Sequence, residues 1–192
     1  MLLTMRRLDY PFERFVGLMR YMTEGTIKSL AVIPPPHKYK GIKIAQDLQG
    51  ATFGTLTQLQ QSAKGNDYMG TCCKIVSVVT GIPEKKVPKC KAVVVLGIVN
   101  MVKTEMERIG KLFQSLNVEH TSDELAAGIE SLDFGAFGIV DWYAQRMGII
   151  DHEEVFNTPW ARIFQCMRID HDNSEFEKRY RRIIENRSKI KR

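Results

Sequence analysis

Residues 88–117 read PKCKAVVVLGIVNMVKTEMERIGKLFQSLN. Val95, Val99, Val102, Met106, Ile109, Leu112, Phe113 and Leu116 recur at three- and four-residue steps, the spacing of one helix face. Pro88 suits a first helical turn and Asn117 suits an end. The stretch therefore predicts one long helix, around which a helical core can form. Its apolar run, Ala92 to Val102, is 11 residues long and contains Asn100. About 20 apolar residues are needed to cross a bilayer, so no membrane contact is expected from it.

The same rules extend outward in both directions. Upstream, Phe53, Leu56, Leu59 and Ala63 form a stripe. Asn66 or Asp67 can cap a helix that turns Tyr68, Cys72, Ile75, Val76 and Val79 inward, and Gly81 with Pro83 stops it. Downstream, Thr121-Ser-Asp-Glu124 is a capping box, in which hydroxyl and carboxylate satisfy each other's backbone donors. Asp151 can cap a short helix. Thr158-Pro159 can open one carrying Trp160, Ile163, Phe164 and Met167, and Ser174-Glu-Phe-Glu177 is a further capping box. The fold class expected is mainly α, a helical bundle.

The first 45 residues differ. Pro11 stands near the start of a helix over Leu8–Met22. Ile27–Ile33 reads as extended, Pro34-Pro35-Pro36 as polyproline, and Lys40–Ile44 as a second alternating strand. These features predict a hairpin with a proline-rich tip over residues 26–45, projecting as an arm. The organisation expected is residues 1–45 for the first helix and arm, 46–177 for the body, and 178–192 for a basic end. An offset of 84 superposes Leu48, Phe53-Gly54, Gln61 and Asp67 on Leu132, Phe137-Gly138, Gln145 and Asp151. A duplicated helical hairpin is one explanation, and the shared rhythm of amphipathic helices is the other.

The 192 residues carry a net charge of +6. Residues 178–192 hold eight basic side chains and one acid, so the first 177 residues sum to −1. The basicity belongs to the C-terminus and not to the body. Arg179, Arg181, Arg182, Arg187, Lys189, Lys191 and Arg192 are the candidate contacts to a polyanion, such as DNA without sequence preference, or to an acidic partner. A solvated helix end is the alternative. Phe176, Tyr180, Ile183 and Ile184 are expected to anchor this helix to the body.

Little in the chain carries chemistry. There is no GxxxxGK[ST] and no GxGxxG. His152 and His171 sit among adjacent acids that fan around a helix, and metal ligands need one face, so capping explains them better. Cys72, Cys73, Cys90 and Cys166 form no CxxC pair, and no spacing supplies a base, so they read as structural. No catalytic residue, metal or cofactor is expected. The chain opens without a signal-peptide pattern, which predicts synthesis in a reducing cytoplasm. Phe134-Gly135-Ala-Phe137-Gly138 reads as a close-packing stretch. Trp142 and Trp160 are candidate core or interface anchors. Pro34, Pro35, Pro36 and Tyr39 are candidate arm contacts.

Two segments carry a resemblance. Thr52-Phe-Gly-Thr-Leu-Thr-Gln-Leu59, Asp67-Tyr68 and Ile75-Val-Ser-Val-Val-Thr-Gly-Ile-Pro83 resemble a pattern of tail and virion-assembly proteins of tailed bacteriophages. Phe137-Gly-Ile-Val-Asp-Trp-Tyr-Ala-Gln-Arg-Met-Gly148, Asp151-His152 and Thr158-Pro-Trp160 look like a small protein of phages and prophages of gut Bacteroidetes, including crAss-like phages. The likeness covers at most residues 46–185 and carries over no catalytic residue. It implies a non-enzymatic virion protein made in the bacterial host: a neck or ring subunit beside the portal, or a tail subunit. Its partners would be copies of itself in a ring and the portal, neck or tail proteins. The alternatives are a tail-assembly chaperone absent from the particle, and a small nucleic-acid-binding or regulatory protein acting through the basic end.

Overall fold

The computed structural model describes residues 8–117, 120–132 and 134–190 and is mainly helical. The chain divides into two units, Met1–Gly110 and Lys111–Arg192.

In the first unit, α1 (Phe12–Met19) begins at Pro11 and buries Phe12 and Phe15 completely. The chain before it is tied to the start of the long helix α5 (Ala92–Gln114). The Phe12 N–H donates to the Cys90 carbonyl at 2.8 Å, Ala92 to Tyr10 at 2.9 Å, and Val93 to Leu8 at 3.0 Å. The expected long helix is therefore present, but it starts at Ala92. Pro88 lies instead inside a 3-10 helix, Glu84–Lys89, which buries Val87. The first turns of α5 bury Ala92, Val94, Val95, Leu96 and Ile98, so the helix is enclosed there on all sides. Past Val102 polar residues take over one side, and the helix becomes amphipathic.

Residues 26–45 correct the expected hairpin. Glu24–Leu30 is helix α2, not a strand. Thr23 caps it by accepting from the Thr26 N–H, and Glu24 and Lys28 pair at 2.8 Å one turn apart. The antiparallel strands β1 (Lys38–Tyr39) and β2 (Ile42–Lys43) do exist. Their turn is Lys40-Gly41, both at positive φ, a conformation that glycine accepts without a Cβ clash. The three prolines precede the strands and do not form the tip. Nor does the segment project. The Asn100 amide donates to the Leu30 and Ile33 carbonyls at 2.6 and 3.2 Å, and Leu30 and Ile44 are buried.

α3 (Phe53–Ser62) starts at Thr52 and buries Phe53, Leu56 and Leu59, but leaves Ala63 exposed. α4 (Tyr68–Thr80) is capped by Asp67, whose carboxylate accepts from the Met69 and Gly70 N–H groups at 3.1 and 2.9 Å. Gly81 ends it in the left-handed conformation, as expected. α3 packs on α4, and α4 on the 3-10 helix. Cys72 and Cys73 are both buried, because neighbouring elements cover two sides of α4.

One polar clamp fixes the entry to α3. Glu105 on α5 takes a bidentate pair from Arg108 at 2.9 Å and accepts from the Leu48 N–H at 3.2 Å. The Arg108 guanidinium holds its carboxyl below the usual range. A lowered folded-state value means stability that is present above the ordinary carboxylate range and lost as pH falls through it. Glu105→Gln is expected to reduce stability at pH 7 by about 1–2 kcal/mol. It should also flatten the acid limb of a urea-midpoint titration below about pH 4.5.

In the second unit, α6 (Ser122–Ala126) carries the expected Thr121–Glu124 capping box. α7 (Gly135–Met147) ends at left-handed Gly148. α8 (His152–Phe156) is capped by Asp151, and α9 spans Trp160–Ile190. The core holds Val140, Tyr143, Ala144, Val155, Trp160 and Ile163. Ser174–Glu177 lies in the middle of α9 and starts no helix. No glycine or proline interrupts the run before it, and extending a helix is easier than nucleating one.

The segments related by the offset of 84 agree in part. Asp67 and Asp151 cap with almost the same backbone angles, φ −94° with ψ 111° and 113°. Leu56 and Val140 are both buried, as are Leu59 and Tyr143. But Leu48 is 3% exposed and Leu132 60%, and α4 is continuous where Asn157–Pro159 separates α8 from α9.

Candidate functional site

α9 has 31 residues, about 46 Å at 1.5 Å per residue. Its first turns pack Trp160 against Phe113 and Phe164, with ring centroids 6.3 Å apart in each case. Arg146 of α7 pairs with Asp170. Every side chain from Phe176 to Ser188 is exposed. The apolar residues in that stretch did not fold back as expected. Phe176, Tyr180, Ile183 and Ile184 are 45–60% exposed, and Ile169, two turns before Phe176, is also at 45%. Ile169, Phe176, Tyr180 and Ile183, with Asn173 between the first two, continue a four–three spacing along one face. The Phe176 and Tyr180 rings stack at 6.2 Å with 15° between planes.

The opposite face is polar. His171, Glu175, Lys178 and Arg182 recur at four, three and four residues. With Asn117, His120 and Thr121 they line a cleft of about 490 Å³. Glu175 pairs with Lys178 at 3.0 Å, and that ammonium, helped by His171 and Arg179, keeps the Glu175 carboxyl below its usual range. With Glu175 neutralised by Lys178, Arg182 is left to set the sign of the cleft. Hydroxyl, amide, imidazole and guanidinium groups on these walls can donate to a phosphate oxygen.

Of the expected contact residues, Arg181 lies 3.4 Å from Glu177. Arg179, Arg182 and Arg187 form no ion pair among the described residues. Arg187 lies on the apolar face and Arg182 in the cleft, so the arginines do not share one surface. Lys191, Arg192 and the Lys189 side chain lie outside the described residues. Pro34 and Pro35 line a groove of about 320 Å³ with Asn100 and Glu105, while the Tyr39 hydroxyl accepts from the Lys91 N–H at 3.4 Å. Trp142 is half-buried under Arg146. Trp160, expected as a core or interface anchor, is 3% exposed and belongs to the chain's own core.

Reactive groups are muted. Burial pushes the Cys72 thiol up to about 11, with Cys73 and Asp67 adding to the rise and the Tyr68 hydrogen bond opposing it. Burial also raises Cys73, aided by Glu84. Both thiols are therefore protonated at neutral pH and poor nucleophiles. His152 approaches Asp141 at 3.8 Å, and its ring lies nearly perpendicular to that of Phe137 at 5.1 Å between centroids. Among the described residues no three His, Cys, Asp or Glu side chains are grouped to hold a metal, and no helix is long and apolar enough to cross a membrane.

Sequence reasoning counted Lys178 only as charge and passed over His120, Asn117, Thr121 and Glu175 as cleft residues. The usable signal was the 171, 175, 178, 182 spacing, which puts four polar groups on one helical face. No protein-family model, no curated protein and no solved structure matches this chain.

Proposed function

We propose that this chain is a non-enzymatic structural subunit of a tailed-phage particle, placed in the neck or tail and docked to copies of itself and to portal, neck or tail proteins. The observation that carries the docking role is the distal half of α9, a helix whose apolar face meets water. Exposed contiguous apolar surface of this kind marks an interaction site. The phage assignment rests on the resemblance of residues 52–83 and 137–160. In the same reading, the α3–Asp67 and α7–Asp151 segments are copies of one helical unit. Mass spectrometry of particles purified from producing cells tests it. The subunit is expected at a fixed ratio to the portal. Reversal of Arg179, Arg181 and Arg182 to Glu is expected to lower its incorporation, and 0.5 M salt, with a Debye length of roughly 4 Å, to mimic the reversal. Absence from wild-type particles replaces this reading with the assembly-chaperone one.

The cleft beside His171 and Arg182 favours a second reading, contact with the phosphates of DNA. Such binding falls steeply with salt and shows no sequence preference. Duplex titrations at two salt concentrations, with Arg182→Gln as the control, decide it.

A further inference from the structure

We infer that the distal half of α9 pairs antiparallel with the same helix of a second copy of this chain. Two observations meet on this segment. The first is the exposed Ile169, Phe176, Tyr180 and Ile183 seam, with Asn173 between the first two. Its four–three spacing lets a second helix pack along it, and a polar residue within such a seam selects register and partner. The second is the order of charge along the helix. Residues 170–177 carry Asp170, Asp172, Glu175 and Glu177 and no cation of their own other than the titratable His171. Residues 178–187 carry Lys178, Arg179, Arg181, Arg182 and Arg187 against Glu185. Arg146 meets Asp170, and Lys178 and Arg181 meet Glu175 and Glu177 within the chain. These exposed pairs contribute little each, and the two blocks keep opposite net sign.

Parallel pairing would lay basic block on basic block over about 15 Å. Antiparallel pairing lays residues 172–177 of one copy along residues 182–187 of the other and leaves basic facing basic only over residues 178–181, about 6 Å. Phe176–Ile183 of one copy then lies on the same segment of the other, gathering the two stacked Phe176–Tyr180 pairs at the two-fold axis. Such an interface is isologous and closes at two chains, so a ring built from this protein would be a ring of pairs. An unrelated acidic helix would satisfy the basic block but not the acidic one. A second copy satisfies both.

The inference deepens the assembly reading by naming the first partner. A chain that pairs in solution yet is missing from particles defeats that reading and leaves this one standing. The experiment uses the full chain carrying Cys166→Ser, the other three thiols being buried. Ser174→Cys and Ser188→Cys are made separately. A short bismaleimide is expected to join the two variants when mixed and neither to itself, and sedimentation is expected to show a dimer. Phe176→Asp with Ile183→Asp should raise the dissociation constant at least tenfold. Both positions are exposed, and circular dichroism confirms that the helices remain. Arg181→Glu with Arg182→Glu should weaken pairing in the same direction, with less effect at 1 M salt, where the Debye length is roughly 3 Å. Self-linking of either single variant overturns the antiparallel arrangement. A monomer at about 100 μM overturns the pairing, and so does a monomer that instead binds duplex DNA or an acidic peptide through this face.

Discussion

Trp160→Ala is expected to lower the unfolding free energy by about 3–5 kcal/mol, the range for truncating a buried large aromatic. Trp160 is the first residue of α9 and lies against the Phe113 and Phe164 rings, while Phe113 and Phe164 meet edge-on at 5.4 Å. The substitution removes one ring from a three-ring cluster and leaves a cavity that the two remaining rings cannot close without leaving their geometry. Trp142→Ala is expected to cost about 1 kcal/mol, because Trp142 keeps part of its surface in water and its charged neighbour, Arg146, retains Asp170. Urea denaturation followed by far-ultraviolet circular dichroism compares them without relying on tryptophan emission. Equal losses for the two variants would contradict the buried placement of Trp160. A Trp160→Ala chain of normal stability with weakened self-association would return that residue to an interface role.

The residues that were legible in the sequence are those whose physics is local. Asp67, Thr121 and Asp151 cap helices because each oxygen reaches a donor two or three residues ahead, and Gly81 ends one because it lacks a Cβ. α2 was misread for a related reason. Its seven residues bury Leu30 alone, too few apolar positions to show a period, and the prolines that follow gave the stronger signal. The fault at Ser174 runs the other way: a local cap pattern is present, but the helix entering it is already formed. The stripe on α9 marks a deeper limit. Phe176, Tyr180 and Ile183 have the spacing of a covered face, and periodicity reports that a face exists without reporting what covers it. The polar cleft was illegible because Asn117 and His120 lie some fifty residues from His171, and only the fold brings them together.

Gly97→Ala is expected to destabilise the first unit by about 1–3 kcal/mol, although alanine is the better helix former by about 1 kcal/mol. Gly97 lies in the enclosed part of α5. A Cβ built there would press on the Pro34 carbonyl group, with its carbon at 2.8 Å and the Pro35 Cα at 3.0 Å. All of these are backbone atoms of a stretch whose φ angles proline fixes, so the neighbour has little freedom to move aside. The Asn100 amide, one turn further along α5, holds the same stretch through the Leu30 and Ile33 carbonyls. Gly110 in the same helix supplies the control, since a Cβ there meets nothing within 4 Å. Gly110→Ala should therefore gain about 0.5–1 kcal/mol from helix propensity alone. The opposite signs of the two substitutions, read as shifts in urea midpoint, measure how closely the proline segment is seated on α5. If both variants are stabilised, residues 34–36 stand off the helix and are free to reach a neighbour. If Gly97→Ala alone is destabilised, the three prolines are a strap of the fold and not an arm.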